Sequence, residues 1–330
     1  MSKPVLILGA GVRGCAKDAI RYAERMNIPV CLTWGAADLM HWKHPLRVGT
    51  FGTHGNAAAN LAIYHADRVI VVGSRLDTKA TGYPVSGFAP NADITMVDVD
   101  WHELSKMEQL GRKVWKQCTT AEHFFDMAHP VPEASLSWLQ QINAWKAEFQ
   151  VVTAEHQRDP LNPYRIVDGL SDIIFENDII VCDTGCSLAW MMQAYRFKGE
   201  TFIHPFNQTP MGCALGYAVG AAFATGKKVW VVTGDGGLSL GISEMATIAK
   251  HDLDVTILLF NNRGHAMCRQ TQRQWMGGEY PATNENDLAT PDFNRIAKAY
   301  GVQLFEYEIS ELHGVDGQVK FGEPLVKEAA

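Results

Sequence analysis

Two short stretches carry the residue types that a phosphate-bound divalent cation needs. Gly234-Asp-Gly236 follows the apolar run Lys228 to Thr233, and Asn261-Asn262 follows the apolar run Val255 to Phe260. Glycines let a backbone approach phosphate closely, and the Asp235 carboxylate and Asn262 amide are hard oxygen ligands of the kind Mg²⁺ takes beside phosphates. Asn262 lies 27 positions after Asp235, the span of a strand–helix–strand unit, which returns the chain to a neighbouring strand end. Gly-Asp turns are common, so the first stretch alone says little. Its pairing with Asn262, each after an apolar strand, is what points to one shared cation.

Such residues need strands that end on one edge, which is what a parallel α/β sheet supplies. In the first half, Val5 to Leu8 runs into Gly9-Ala-Gly11, Arg68 to Val72 ends at Gly73, and Ile94 to Val99 carries Asp98. Ala16 to Met26 and Asn60 to His65 read as helices, and Ile28 to Leu32 as a further strand. Residues 1–126 are expected to form one domain and 127–160 a linker with a connecting helix. That helix, Leu136 to Glu155, carries Trp138, Ile142, Trp145 and Phe149 near one face and is expected to lie across the second domain. Residues 161–330 then begin at Asn162-Pro163, where proline suits a first helical turn. Helices are predicted at Tyr164 to Ile174, Gly216 to Ala224 and Ser243 to Ala249, with a last one after Thr290-Pro-Asp292. The remaining second-domain strand is Ile179 to Cys182, stopping at Asp183-Thr-Gly185. The fold class is α/β: two three-layer α/β/α domains with mainly parallel sheets.

Composition narrows the partners. The 330 residues carry a net charge of -7 and no basic block, which speaks against nucleic acid. Seven scattered cysteines with no CxxC pair fit a reducing cytoplasm, and Cys182 with Cys186 gives too few ligands for a metal site. The N-terminus lacks signal-peptide architecture, and the apolar tract Met211 to Thr225 is glycine-rich and short for a membrane span. It reads as a buried helix.

The run Gly234-Asp-Gly-Gly-Leu-Ser-Leu-Gly-Ile-Ser-Glu-Met-Ala-Thr247, continuing to Asn261-Asn-Arg-Gly264, resembles the cofactor motif of thiamine-diphosphate enzymes, in particular the acetolactate synthase group. The resemblance implies that Asp235, Asn262 and the Gly264 carbonyl hold Mg²⁺ against the cofactor's diphosphate. It makes Thr184, Gly185 and Cys186 the diphosphate-side loop, and Met211-Gly212 the apolar wedge that bends the cofactor. Gly234, Gly236, Gly237 and His265 complete the cofactor site, and Met211 and Met267 stand closest to the chemistry. Met267, Arg269 and Gln270 are expected beside His265 in the pocket. The first half resembles that group's central, Rossmann-like domain through Phe51-Gly-Thr-His-Gly55, Ala59-Asn-Leu-Ala62 and Gly73-Ser-Arg-Leu-Asp-Thr-Lys79. By the same likeness Gly9, Gly11, Thr33, His54, Gly73, Arg75, Asp77, Asp98 and Val99 are its candidate FAD- or ADP-binding positions.

The implied activity is cleavage or formation of a carbon–carbon bond next to a carbonyl, on 2-oxo acids or related ketones. Three departures shape that expectation. The family's first domain, which holds the pyrimidine ring and an activating glutamate, has no counterpart here. A separate cytoplasmic partner of about 170 to 200 residues is expected to supply it, in an assembly of two copies of each chain or larger. Thr271 stands where the acetolactate synthases carry a tryptophan, and the stretch Lys320 to Val326 ends before the family's usual last strand and helix. The rival readings are a non-catalytic nucleotide-binding subunit, against which Asp235 and Asn262 speak, and a nicotinamide oxidoreductase. The latter rests on Gly9-Ala-Gly11, which lacks the full fingerprint and its ribose-binding acid.

Overall fold

The computed structural model describes residues 2–127, 130–284, 286–319 and 323–326. The chain divides into two compact units, Val152–Asp316 and the remainder, Met1–Val151 with Gly317–Ala330.

The first unit is built on six parallel strands: β1 (Pro4–Leu8), β2 (Val30–Leu32), β3 (Arg47–Thr50), β4 (Arg68–Val72), β5 (Asp93–Asp98) and β6 (Val114–Cys118). Their order is β3-β2-β1-β4-β5-β6, the doubly wound order of dinucleotide-binding sheets, with the switch between β1 and β4. Alternate side chains feed opposite faces. Val5, Ile7, Val69 and Val71 enter one core, while Leu6, Leu8, Ile70 and Val72 enter the other. Two buried faces on one sheet make the three-layer arrangement and explain why β1 and β4 read as unbroken apolar runs.

The second unit has five parallel strands: β7 (Ile179–Cys182), β8 (Thr201–Ile203), β9 (Val229–Gly234), β10 (Val255–Asn261) and β11 (Gln303–Glu308). The order β11-β10-β9-β7-β8 puts its switch between β7 and β9. Ile179, Val181, Val229, Val231, Ile257 and Leu259 share one core. The opposite face of β10 meets the helix Cys186–Ala194, where the rings of Trp190 and Phe260 lie 5.9 Å apart in an edge-on contact.

Several expectations change. The helix after the linker runs only Leu136–Glu148 and belongs to the first unit, not across the second. Trp138 and Ile142 are in the first core, and Trp138 Nε1 donates to the Pro4 carbonyl at 3.1 Å. Residues from Gly317 onward group with that unit as well. The Val319 N–H donates to the Thr53 carbonyl at 2.8 Å, and Pro324 forms an antiparallel bridge with Gly82. The strands β3, β6, β8 and β11 escaped prediction because they are short or at sheet edges, where partly exposed sequences such as Gln303–Glu308 lack an apolar run. The apolar tract forms the helix Ala214–Thr225, buried on one face only, with Tyr217 and Phe223 45% and 56% exposed on the other. Among the described residues no helix is long and apolar enough to cross a membrane.

At the switch of the first unit, Gly9, Gly11 and Gly73 pack backbone on backbone. A Cβ on Gly9 would stand 2.1 Å from the Gly73 carbonyl oxygen, and Gly73 has a φ of 65°. Gly9→Ala is expected to cost at least about 2 kcal/mol by overpacking against backbone that cannot yield. The melting temperature of this unit should fall by roughly 5 to 10 °C in calorimetry. Gly14→Ala, whose methyl would meet only the end of the Glu122 side chain, is the control and should leave it unchanged.

Candidate functional site

β9 and β10 run parallel with Gly234 opposite Phe260, so Asp235 emerges beside the Asn261-Asn262 pair. The carboxyl ends of these strands are the edge at which open α/β sheets bind ligands. One backbone group ties the two residues together. The Gly264 N–H donates to Asp235 Oδ2 and to Asn262 Oδ1, at 3.0 Å each. Asp235 Oδ1 accepts from Gly236 N–H at 2.7 Å, and both Asp235 and Asn262 are more than nine-tenths buried. Two hard oxygens are thus held side by side at one strand edge, a donor set suited to Mg²⁺ with phosphate oxygens filling the remaining positions. Among the described residues no group of three or more His, Cys, Asp or Glu could hold a metal. A site with one carboxylate, one amide and one carbonyl has a different composition from such a cluster.

Across the switch, β7 ends at Cys182 and hands the chain to Asp183-Thr184-Gly185. Gly185 has a φ of 101° and opens the helix Cys186–Ala194, whose first turn no side chain caps. Those N–H groups and the helix dipole favour an anion. Met267 reaches this loop, with its Cβ 4.0 Å from the position a Cβ on Gly185 would take. The Cys186 thiol faces inward to Gln270 Oε1 at 3.8 Å, so Cys186 offers the loop its backbone rather than its side chain.

The residue that sequence reading missed is Asp183. It is fully buried, and its carboxylate accepts from the N–H groups of Thr184 at 2.9 Å, Gly212 at 2.9 and 3.1 Å, and Ala214 at 3.2 Å. An acid directly after a strand and before a glycine turn was the available signal, but its partners lie far along the chain.

Met211, Asp235, Gly236, Leu240 and His265 line one cleft of about 170 Å³. His265 holds a left-handed backbone (φ 53°), and its ring lies over Gly236, where a Cβ would come within 2.7 Å of it. Gly236 is therefore required by the histidine ring, and Gly237 by Asp183, whose Cγ would lie 2.8 Å from an added Cβ. Gly212, with φ 85°, similarly makes room for Leu240. Arg269 and Gln270, expected in the pocket, are engaged elsewhere. Buried Arg269 pairs with Glu311 at 2.6 Å, and Gln270 bonds both backbone groups of Val315. Thr271 is exposed and donates to the Met267 carbonyl, one turn back on its own helix.

In the first unit the candidate positions follow parallel strand ends on one sheet edge, but most already have structural duties. The three glycines pack on each other, Thr33 precedes a short 3₁₀ turn, and Arg75 pairs with Asp77 at 3.5 Å. Asp77 also caps the turn Thr78–Thr81, and Asp98 accepts from the Asp100 N–H. Val99 is exposed. His54 differs, because its Nε2 is buried with no hydrogen-bond partner among the described residues, as is Nε1 of Trp34, whose ring lies 5.9 Å away. Burial, with Lys79 nearby, lowers the His54 pKa to about 4 and keeps the ring neutral.

Residues 183–320 match the family described as thiamine pyrophosphate enzyme, C-terminal TPP binding domain, and residues 1–121 match the corresponding central domain. The chain belongs to the thiamine pyrophosphate enzymes. Relatives include the acetolactate synthase isozyme 1 large subunit of Escherichia coli strain K12, 31% identical over 306 residues that cover 91% of this chain and 53% of that protein. The probable acetolactate synthase large subunits of Methanococcus aeolicus and Methanocaldococcus jannaschii are 29% and 30% identical, covering 93% and 91% of this chain and 54% and 52% of theirs. The chain spans about half the length of the curated relatives it matches.

The thiols of this family member give a direct check on the loop geometry. Burial, with Cys268 nearby, pushes Cys186 up to about 12, and burial raises Cys182 well above the ordinary thiol range. Both stay protonated and unreactive near neutrality. Alkylation of the native protein at pH 8, read by peptide mass spectrometry, should modify exposed Cys118 and Cys268 first and spare Cys182 and Cys186. Rapid labelling of Cys186 would mean that the loop is open where it is described as packed.

Proposed function

We propose that this chain is the metal- and diphosphate-binding part of a thiamine-diphosphate-dependent enzyme that cleaves or forms the carbon–carbon bond next to a carbonyl, on 2-oxo acids or related ketones. The contact that carries this reading is the Gly264 N–H shared by Asp235 and Asn262 at the ends of adjacent parallel strands. In this reading Asp235, Asn262 and the Gly264 carbonyl would hold Mg²⁺, and the diphosphate would lie against the uncapped helix start after Thr184-Gly185-Cys186. The bound cofactor would supply an electron sink for the charge that develops when the bond beside the carbonyl breaks. The chain itself binds and orients. Met211 and Leu240 give the cleft an apolar rim, the His265 ring packs over Gly236, and Met267 lies beside the loop at Gly185.

We further propose that the pyrimidine-binding half of the site lies on polypeptide outside these 330 residues, as a separate subunit of about 170 to 200 residues, in an assembly of two copies of each or larger. Two observations support this. The cleft of about 170 Å³ is well below the roughly 300 to 1,000 Å³ of complete small-molecule sites. Beside it the helix Ala214–Thr225, which has no charged residue, exposes Gly216, Tyr217, Gly220 and Phe223. Exposed Met211 and Leu240 continue that apolar surface to the cleft rim. For the first unit, the partnerless Trp34 and His54 nitrogens favour a ligand with hydrogen-bonding oxygens at that edge, FAD or ADP.

Calorimetric titration should show thiamine diphosphate binding that requires Mg²⁺ and weakens at least about tenfold in Asp235→Ala and in Asn262→Ala. Equal affinity in both variants would rule out the metal assignment. Turnover should need the second subunit, and full activity from this chain by itself would contradict the split site.

Thr271 in place of the family's tryptophan leads us to propose substrates other than the pyruvate pair that yields acetolactate. Pyruvate alone should give little acetolactate with the complete assembly. Formation at the ordinary enzymatic range of about 1 to 1,000 per second would refute this.

A further inference from the structure

Asp183 lies outside the metal set and belongs to neither of the roles proposed above, yet it ties together two segments, the loop at Thr184 and the stretch Gly212 to Ala214 that follows cleft-lining Met211. Its Oδ1 accepts from Thr184 N–H and Gly212 N–H, both at 2.9 Å, and its Oδ2 from Gly212 at 3.1 Å and Ala214 at 3.2 Å. The carboxylate is fully buried, and among the described residues no cationic side chain pairs with it. Its charge is carried by backbone N–H groups at the start of the helices Cys186–Ala194 and Ala214–Thr225.

The doubly held N–H is that of Gly212, the amide whose peptide plane joins it to Met211. Gly212 is itself left-handed, and Leu240 occupies the space where its Cβ would be. Met211 is 42% exposed, so packing around its own side chain holds it only in part. Its position is set from the backbone. We propose that Asp183 is a positioning residue: it pins the Met211–Gly212 peptide so that the Met211 side chain is presented at a fixed place on the cleft wall, where the thiazolium ring of the cofactor rests. This rests on the thiamine-diphosphate reading above, and it assigns Asp183 no contact with cofactor or substrate.

Asp183→Asn is a selective test. Asparagine can keep one oxygen toward Thr184 and Gly212, but it turns an NH₂ donor against the N–H groups of Gly212 and Ala214, where two donors face each other. The diphosphate loop should therefore survive while the Met211 segment loosens. The full chain is titrated with Mg²⁺ and inorganic pyrophosphate, which uses the metal and diphosphate seats alone. It is then titrated with Mg²⁺ and thiamine diphosphate, which uses the ring seat as well. The ratio of the two affinities isolates the ring seat.

Asp183→Asn should keep pyrophosphate affinity within about threefold and lower the ratio at least about tenfold. Met211→Ala should lower the ratio comparably, and the double variant should be no worse than either, since both remove one arrangement. An unchanged ratio in Asp183→Asn, an equal fall in both affinities, or additive effects in the double variant would each overturn the proposal. If Asp183→Asn does not fold, Gly212→Ala moves the same segment by collision with Leu240 and should lower the ratio likewise, and full retention there would count against it. Failure of the wild-type chain to bind pyrophosphate with Mg²⁺ would instead sink the reading on which the proposal rests.

Discussion

A single backbone N–H, that of Gly264, is shared by the Asp235 carboxylate and the Asn262 amide oxygen, and the second unit is arranged so that this sharing is possible. It requires two parallel strands in a register that ends them together. It also requires a turn after Asn262 tight enough to bring an amide back. The chain achieves the turn with left-handed backbone at Arg263 and at His265, on either side of Gly264. Left-handed backbone at residues with a Cβ costs about 1 to 3 kcal/mol and persists where surrounding structure over-determines it. Here the seven fully buried residues of β10 and the packing of His265 on Gly236 supply that determination.

The same edge holds a second electrostatic constraint. One helix start at this edge already serves a resident anion, because Asp183 takes the first N–H of the helix Ala214–Thr225, while its Thr184 contact lies before the uncapped helix Cys186–Ala194. With Asp235 also at this edge, the protein places two carboxylates where a diphosphate is proposed to sit. In a partly buried setting like charges repel strongly. A divalent cation resolves this conflict, since it is attracted to Asp235 and to phosphate alike. In the proposed reading, the placement of charge would call for a metal as much as the identity of the ligands does.

Much of this was legible in the sequence where local pattern decides the outcome. Buried strands such as Arg68–Val72 and Ile179–Cys182 announce themselves as apolar runs, and the Asp235 to Asn262 spacing implies neighbouring strand ends once both runs are taken as parallel strands. What stayed hidden depends on distant partners. Asp183 looks like an ordinary turn acid until Gly212 and Ala214 are seen on its oxygens. Arg269 was expected in the pocket beside His265, and only the fold brings Glu311 to it. Trp138 was expected across the second domain, and its hydrogen bond to Pro4 places it in the first unit. Edge strands such as β6 were missed for a different reason, since partial solvation leaves them without the periodic signature of burial.

The uncharged outer face of the helix Ala214–Thr225 has a colloidal consequence. Gly216 and Gly220 present bare backbone with nothing within 4 Å of where their Cβ atoms would lie, between two exposed aromatic rings. Such a surface has no like-charge repulsion to keep two copies apart and can be approached closely by another helix. The net charge of -7 is spread over the rest of the molecule, so colloidal stability is uneven across its surface. This face should therefore lower the chain's solubility during recombinant expression. A charged residue placed at Tyr217 or Phe223 would raise the concentration at which it stays dispersed.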